Sequence, residues 1–251
     1  MHLTIDKQIV SAQRGESVLE VARRNGIEIP TLCYHPAVDS WGGCRLCMVE
    51  ITHPDWKGWS GLVTACLYPV EEGLVVSTNT DKVRRVRAGV LDLLLARCPD
   101  SLLIQNLARE YGIEKTSFVP RSAPDLCILC GLCVRICEKI GAGAISTIGR
   151  GVEKLVSVPY EIEATAACIG CLSCASVCPT GAITFEQSDV HRSIWNRNFE
   201  LVRCQECGAV LGTPEQMAHF SQRSGLDISY FNTCDTCRNR EAAGRFARVT
   251  F

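Results

Sequence analysis

Residues 127–137 read CILCGLCVRIC, and residues 168–179 read CIGCLSCASVCP. Both runs space their cysteines as Cys-x2-Cys-x2-Cys-x3-Cys: Cys127, Cys130, Cys133 and Cys137, then Cys168, Cys171, Cys174 and Cys178. Such short gaps let one loop reach three corners of a cubane, while the fourth cysteine, on a helical turn, points to the other cluster of a pair. The spacing predicts two [4Fe–4S] clusters, one on Cys127, Cys130, Cys133 and Cys178, the other on Cys168, Cys171, Cys174 and Cys137. Disulfides or zinc are the competing uses of grouped cysteines. The runs are halves of a repeat, since Gly143-Ala144-Ile145 follows the first as Gly181-Ala182-Ile183 follows the second. Pro179 fixes the backbone after one ligand, and Glu138 stands at the matching place in the first half.

Composition narrows the class. The chain has 251 residues, room for several small domains, and a net charge of −1. A neutral chain without an aromatic–basic stripe gives no electrostatic case for nucleic acid or an anionic membrane surface. The start, MHLTID, shows no basic region before an apolar stretch, so no signal peptide is expected. Apolar runs such as Val90 to Ala96 are too short to span a bilayer, and no direct membrane insertion is expected. The expected location is a reducing cytoplasm, with the 17 cysteines kept as metal ligands.

Sixteen of those cysteines fall into four quartets, leaving Cys98. The first quartet is Cys33, Cys44, Cys47 and Cys66. Its surroundings suit a small β-grasp domain. Residues 3–5 and 8–10 read as a hairpin about Asp6-Lys7. Ser17 and Glu20 form a capping box for a helix that Gly26 ends. Residues 48–51 and 75–78 read as returning strands. The glycines of Trp41-Gly42-Gly43-Cys44 let backbone N–H groups approach a [2Fe–2S] cluster, although four cysteines also suit structural zinc.

A resemblance then emerges from PTLCYHPAVDSWGGCRLCMVEI (residues 30–51), TACLYPVEEGLVVST (64–78), LLIQNLAREYGI (102–113), CGLCVRICEKIGAGAISTIGRG (130–151) and CIGCLSCASVCPTGAI (168–183). Residues 1–186 resemble the N-terminal part of a group of iron–sulfur proteins. The group comprises the complex I large iron–sulfur subunit, the small diaphorase subunit of NAD-reducing hydrogenases and the iron-only hydrogenases. The resemblance implies a [2Fe–2S] cluster on Cys33, Cys44, Cys47 and Cys66, and a role in electron relay. It also exposes a departure. Members of the group carry a His-x3-Cys-x2-Cys-x5-Cys site before the four-iron runs. Here only Cys98 is present, and no histidine lies between His53 and His191. That cluster is expected to be lost and its helical scaffold kept. Residues 81–97 show Val83, Val86, Val90, Leu93 and Leu94 at helical spacing, and Ser101 can cap a second helix ending at Gly112. Cys98 reads as a buried small apolar residue. The cluster of Arg84, Arg85 and Arg87 reads as a solvated helix face.

The last quartet is Cys204, Cys207, Cys234 and Cys237, two Cys-x2-Cys knuckles separated by 26 residues. Thr213-Pro214-Glu215-Gln216 reads as a helix start, with Gln216 completing a capping box. Tetrahedral zinc suits such a pair of turns and would fold a segment too small for its own core; a further [4Fe–4S] cluster or a mononuclear iron is the alternative.

The expected fold class is α+β. A plant-ferredoxin-like [2Fe–2S] domain is expected over 1–79 and a helical linker over 80–120. A bacterial-type 2[4Fe–4S] ferredoxin domain follows over 121–190, and a zinc-ribbon-like four-cysteine module over 191–251. Iron–sulfur clusters pass single electrons and nicotinamide passes two, so a flavin must stand between them. No flavin or nicotinamide site is evident in the sequence. The expectation is therefore a non-catalytic subunit working between a flavin- and NAD(P)H-binding partner and a catalytic redox partner. That second partner would be a hydrogenase, a formate dehydrogenase or a heterodisulfide-reductase-like unit. The alternatives are a redox enzyme in its own right, for which the chain is short, and a zinc-ribbon nucleic-acid-binding protein.

Overall fold

The computed structural model describes residues 1–121, 126–158 and 167–246. The chain divides into two compact units, Met1–Arg135 with Val177–Ala182, and Ile136–Ser176 with Ile183–Phe251.

The first unit opens on a hairpin of β1 (His2–Ile5) and β2 (Gln8–Ser11), in which Ile5 pairs with Gln8. Asp6 and Lys7 both take positive φ, 44° and 71°, as a tight two-residue turn requires. Helix α1 (Val18–Arg24) follows, and its capping box is complete: the Ser17 side chain accepts from the Glu20 N–H, and Glu20 accepts from the Ser17 N–H. Strands β3 (Met48–Thr52), β4 (Ser60–Thr64) and β5 (Val75–Ser77) complete a five-stranded sheet of order β2-β1-β5-β3-β4. Only the β1–β5 pair is parallel. This is the β-grasp arrangement. Period-two alternation sends Leu3, Ile5, Val49, Ile51 and Val76 into one core with Val18, Leu19, Val21 and Ala22 of α1. Each such aliphatic side chain contributes roughly 1.5–3 kcal/mol on full burial. Strand β4 was not expected from the sequence. It is half-buried along most of its length, and the register Met48↔Thr64 to Thr52↔Ser60 rather than apolar alternation defines it.

Helices α2 (Asp81–Arg97) and α3 (Leu102–Glu110) pack together, and α2 packs on β3. The buried stripe of α2 differs from the expected one. It runs Val83, Arg87, Leu91 and Leu95, while Leu93 is exposed. A cation in the middle of an apolar stripe hides the stripe from a hydropathy pattern. Arg87 is 3% exposed and donates to the Tyr111 hydroxyl (3.2 Å) and the Met48 carbonyl (2.7 Å), so it does not belong to a solvated face with Arg84 and Arg85. Ser101 occupies the N-cap of α3 without a side-chain capping bond. Cys98 is fully buried at the end of α2, where its N–H donates to the Leu94 carbonyl.

Helix α4 (Leu132–Ile140) starts in the first unit and ends in the second. There follow a hairpin of β6 (Ser146–Ile148) and β7 (Leu155–Ser157), and the short helix α5 (Ser173–Ser176). A three-stranded antiparallel sheet comes next: β8 (Phe185–Gln187), β9 (His191–Ile194) and β10 (Arg197–Glu200). The residues on either side of 190 thus pair in one sheet. The unit ends with β11 (Val202–Arg203), β12 (Val210–Gly212), α6 (Pro214–Ser224) and α7 (Asp235–Phe246). Thr213 caps α6 by accepting from the Gln216 N–H at 3.1 Å, but the box stays half-formed, because Gln216 Oε1 is buried with no hydrogen-bond partner. Among the described residues no helix is long and apolar enough to cross a membrane.

Candidate metal centres

All seventeen cysteines are described and none forms a disulfide. The four quartets differ in how closely their sulfurs gather, and that difference is chemically informative.

In the first quartet the sulfurs come in pairs. Cys47 Sγ stands 3.4 Å from Cys66 Sγ, and the Cys44 N–H donates to Cys33 Sγ at 3.4 Å. The Cys33 thiol also hydrogen-bonds Cys44, which pulls Cys44 down to about 6 despite burial. Cys66 does the same to Cys47, pulling it down to about 7. The proton-holding members, Cys33 and Cys66, move up for the same reason, with burial adding. Two pairs of thiols are what two irons need when each takes two protein ligands and both share bridging sulfides.

The loop between Cys33 and Cys44 is tied to the first four-iron run. Arg135 Nη2 donates to the Cys33 carbonyl at 2.7 Å and Nη1 to the Asp39 carbonyl at 2.6 Å. Its guanidinium lies 5.7 Å from the centre of the Trp41 ring. That ring also rests on Gly131, 3.0 Å from where a Cβ would stand. A Cβ there would press on the ring, and the positive φ of 71° also favours glycine.

The two four-iron loops share a backbone device. Leu129 and Gly131 have φ of 52° and 71°, and at the matching repeat positions Gly170 and Leu172 have 65° and 61°. A leucine in the left-handed region costs about 1–2 kcal/mol, so its use in both loops calls for a return. Left-handed residues turn successive N–H groups toward one point, the concave arrangement that binds anions and Fe–S centres. Glycine and leucine exchange places between the halves, which hides the equivalence from a residue-by-residue reading.

Around the first run, burial pushes Cys130 up to about 11, and the charges of Cys178 and Cys127 push the same way. Cys178 thus stands with Cys127 and Cys130, and Cys133 is buried at the start of α4. Arg97 of α2 donates to the Cys127 carbonyl at 2.8 Å, so α2 anchors this loop. Around the second run, Cys137 and Cys168, Cys171 and Cys174 line one apolar pocket with Ile145, Ile169, Ile194 and Trp195. Burial raises Cys174 to about 11 and raises Cys168. The Ala144 N–H donates to Cys137 Sγ at 3.2 Å. The indole N–H of Trp195 is buried, makes no well-formed hydrogen bond within the protein, and acts on Cys174 in the sense that favours its thiolate. A buried donor left so beside four converging thiols fits an anionic sulfur centre among them.

The last quartet is tighter. The sulfurs of Cys204, Cys207, Cys234 and Cys237 all lie within 4.8 Å of one another, with Cys207 and Cys234 at 3.7 Å. No other group of three or more His, Cys, Asp or Glu residues gathers so among the described residues. A tetrahedral ion with metal–sulfur bonds of about 2.3 Å sets its sulfurs about 3.8 Å apart. A cubane, which carries its thiolates on four separate irons, needs them farther apart. N–H groups support the sulfurs: that of Cys234 donates to Cys204 (3.3 Å) and that of Cys237 to Cys234 (3.4 Å). The first of these bonds is the main reason that Cys204 is pulled down to about 6.

The sequence reading missed the side chains that hold the second four-iron loop. Arg197 donates to the Cys168 carbonyl (2.7 Å), Thr213 to the Ile169 carbonyl (2.6 Å) and Arg192 to the Gly170 carbonyl (2.7 Å). Arg192 alternates with Ile194 on the buried side of β9, a two-residue period too short to flag from sequence.

Residues 1–81 match the family described as "2Fe-2S iron-sulfur cluster binding domain" and residues 167–210 match "4Fe-4S dicluster domain". An NADH-quinone oxidoreductase subunit of Rhizobium meliloti (strain 1021) is 32% identical, the alignment covering 82% of this chain and 26% of the relative. The alpha subunit of an NADPH-Fe(3+) oxidoreductase of Geobacter sulfurreducens is 28% identical over 97% of this chain and 31% of the relative. The chain thus spans roughly a third or less of the length of these relatives. A chain in the crystal structure of NAD+-reducing [NiFe]-hydrogenase in the H2-reduced state is 31% identical, with a TM-score of 0.55 over 63% of this chain and 74% of that one.

Proposed function

The chain belongs to the family of iron–sulfur subunits found in NADH-quinone oxidoreductases and NAD-reducing hydrogenases, and from that membership we propose that it relays single electrons and makes no bonds itself. The relay runs between a flavin- and NAD(P)H-binding subunit and a catalytic redox subunit, in a reducing compartment such as the cytoplasm. The observation that carries this reading is the sorting of sixteen cysteines into three geometries: two sulfur pairs, two wide quartets and one tight tetrahedron.

In this reading Cys33, Cys44, Cys47 and Cys66 hold a [2Fe–2S] cluster, paired as 33 with 44 and 47 with 66. Cys127, Cys130, Cys133 and Cys178 hold one [4Fe–4S] cluster, and Cys137, Cys168, Cys171 and Cys174 the other. Cys204, Cys207, Cys234 and Cys237 hold zinc, for which the tight tetrahedron argues. Bound clusters supply reversible one-electron chemistry. The protein's own part is to fix the ligands, exclude water with apolar side chains and aim N–H groups at the sulfurs. Arg135 and Trp41 keep the two-iron loop against the first four-iron loop within one compact unit. This supports direct transfer between those centres, without the additional cluster that the chain lacks ligands to hold.

Metal analysis of the purified chain tests the inventory: about ten irons and about one zinc per chain are expected. Fourteen irons without zinc would overturn the tetrahedral assignment. Replacing Cys44 by serine is expected to abolish the two-iron signal of the reduced protein and spare both four-iron signals. Loss of all signals together would contradict separately built sites.

A further inference from the structure

Arg192 is 9% exposed, and its guanidinium meets only neutral acceptors: Gln187 Oε1 at 2.8 Å from Nε, and the Gly170 carbonyl at 2.7 Å from Nη1. Among the described residues no carboxylate stands within ion-pair distance of it. A buried cation without a counter-charge is costly, because its lost hydration is not repaid. The carbonyl that Arg192 grips belongs to Gly170, the residue next in the chain to Cys171, a member of the second wide quartet. Four thiolates around an oxidised four-iron core carry a net charge of −2, which becomes −3 on reduction. The missing counter-charge of Arg192 is therefore the centre that this quartet would hold.

The position is built rather than incidental. Gly170, whose carbonyl Arg192 grips, has a φ of 65°, and a Cβ there would stand 2.9 Å from Phe199 and 3.0 Å from Thr213. The neighbouring carbonyls of the loop are held by Arg197 and Thr213. Each carbonyl drawn outward leaves the loop's N–H groups free to face the thiols. The same three side chains come from β9, from β10 and from the cap of α6, which lie between the second four-iron run and the tight quartet's second knuckle. The C-terminal module is thus continuous with the second four-iron site.

We infer that Arg192 is the charge-compensating residue of the second four-iron centre, acting through the Gly170 carbonyl to stabilise that centre's reduced state. Reduction adds one electron from the neighbouring centre or subunit to the cluster, with no bond made or broken and no proton taken up. The added negative charge develops beside the loop whose Gly170 carbonyl the buried guanidinium holds, where charges are weakly screened. Removing the cation lowers the reduction potential of this centre and leaves the other two where they are. The inference rests on the function proposed above, because it needs the quartet to hold a cubane.

Potentiometric titration of the full chain, followed by the spectra of its reduced clusters, separates the possibilities. Arg192→Gln is expected to keep its iron and move one four-iron signal to lower potential. Arg192→Lys, which keeps the charge, is expected to stay near the parent value. Should the glutamine variant lose four irons while the lysine variant keeps them, the charge is required for the cluster to persist, and the inference stands. An iron-replete Arg192→Gln with unmoved potentials would overturn it. So would equal loss of the cluster from both variants, which would make Arg192 a brace whose charge is immaterial. Absence of a second four-iron signal from the parent protein would instead defeat the underlying functional reading.

Discussion

Serine in place of Cys178 is expected to extinguish one four-iron signal, and the signal lost is the one that Cys130→Ser also removes, not the one that Cys171→Ser removes. A run-by-run grouping would put Cys178 with Cys168, Cys171 and Cys174, whereas the spacing assigns it to the centre of the first run. Its surroundings favour the crossed grouping. Residues Val177–Ala182 belong to the unit that contains the first run, and the charge of Cys178 acts on Cys130. Cys137 crosses the other way: it lines the pocket of the second run, with its sulfur accepting from the Ala144 N–H. The expected iron content of Cys178→Ser is about six atoms per chain against about ten in the parent, with the two-iron signal intact. Cys137→Ser is expected to give the same count by loss of the other cubane. Pairwise comparison of reduced-state spectra decides the matter. If Cys178→Ser and Cys171→Ser silence the same signal, the crossed assignment is wrong and each run wraps its own cluster.

How far the sequence foretold this arrangement depends on range. Local devices were legible because they need only a few adjacent residues. The Asp6-Lys7 turn, the Ser17–Glu20 capping box, the helices after Thr80 and Ser101 and the Thr213 cap all stand where the sequence places them. The cysteine quartets could be proposed from the sequence because spacing limits which sulfurs can serve one centre. The supports around them were not. Arg135 reaches the Cys33 carbonyl across 102 residues, and Thr213 reaches Ile169 across 44. Nothing local distinguishes those side chains from surface ones. Arg87 shows the same limit from the opposite side: a pattern that sorts residues into apolar and polar counts a buried guanidinium as solvated, and so shifts the inferred buried face of α2. Geometry supplied what composition could not, namely which quartets are paired, wide or tight.

The tight quartet leads to the second large effect. Cys237→Ser is expected to release the zinc and, with it, to loosen the second four-iron centre while the first and the two-iron centre persist. Cys237 is buried, and its thiol is pushed up to about 12 chiefly by its hydrogen bond with Cys234, so without a metal it holds a proton that the metal would have to displace. Apparent binding energies of structural zinc run to about 10–16 kcal/mol at neutral pH, and in small modules that energy is folding energy. The segment beyond β10 has little else to fold on: among its described side chains, Met217 is the one large aliphatic residue that is buried. When this segment loosens, the cap of α6 goes with it, and the bond from Thr213 to the Ile169 carbonyl is lost. Arg197, which ion-pairs with Glu215 of α6 at 3.2 Å, loses a restraint on its grip of the Cys168 carbonyl. The measurement is a time course of iron release to a chelator in the presence of air, with zinc and protease sensitivity of residues 200–246 followed in parallel. About four of the ten irons are expected to leave several-fold faster in Cys237→Ser than in the parent. A zinc-free variant whose second cubane survives as long as the parent's would show that the cluster loop holds itself, and that the C-terminal module serves some purpose other than bracing it.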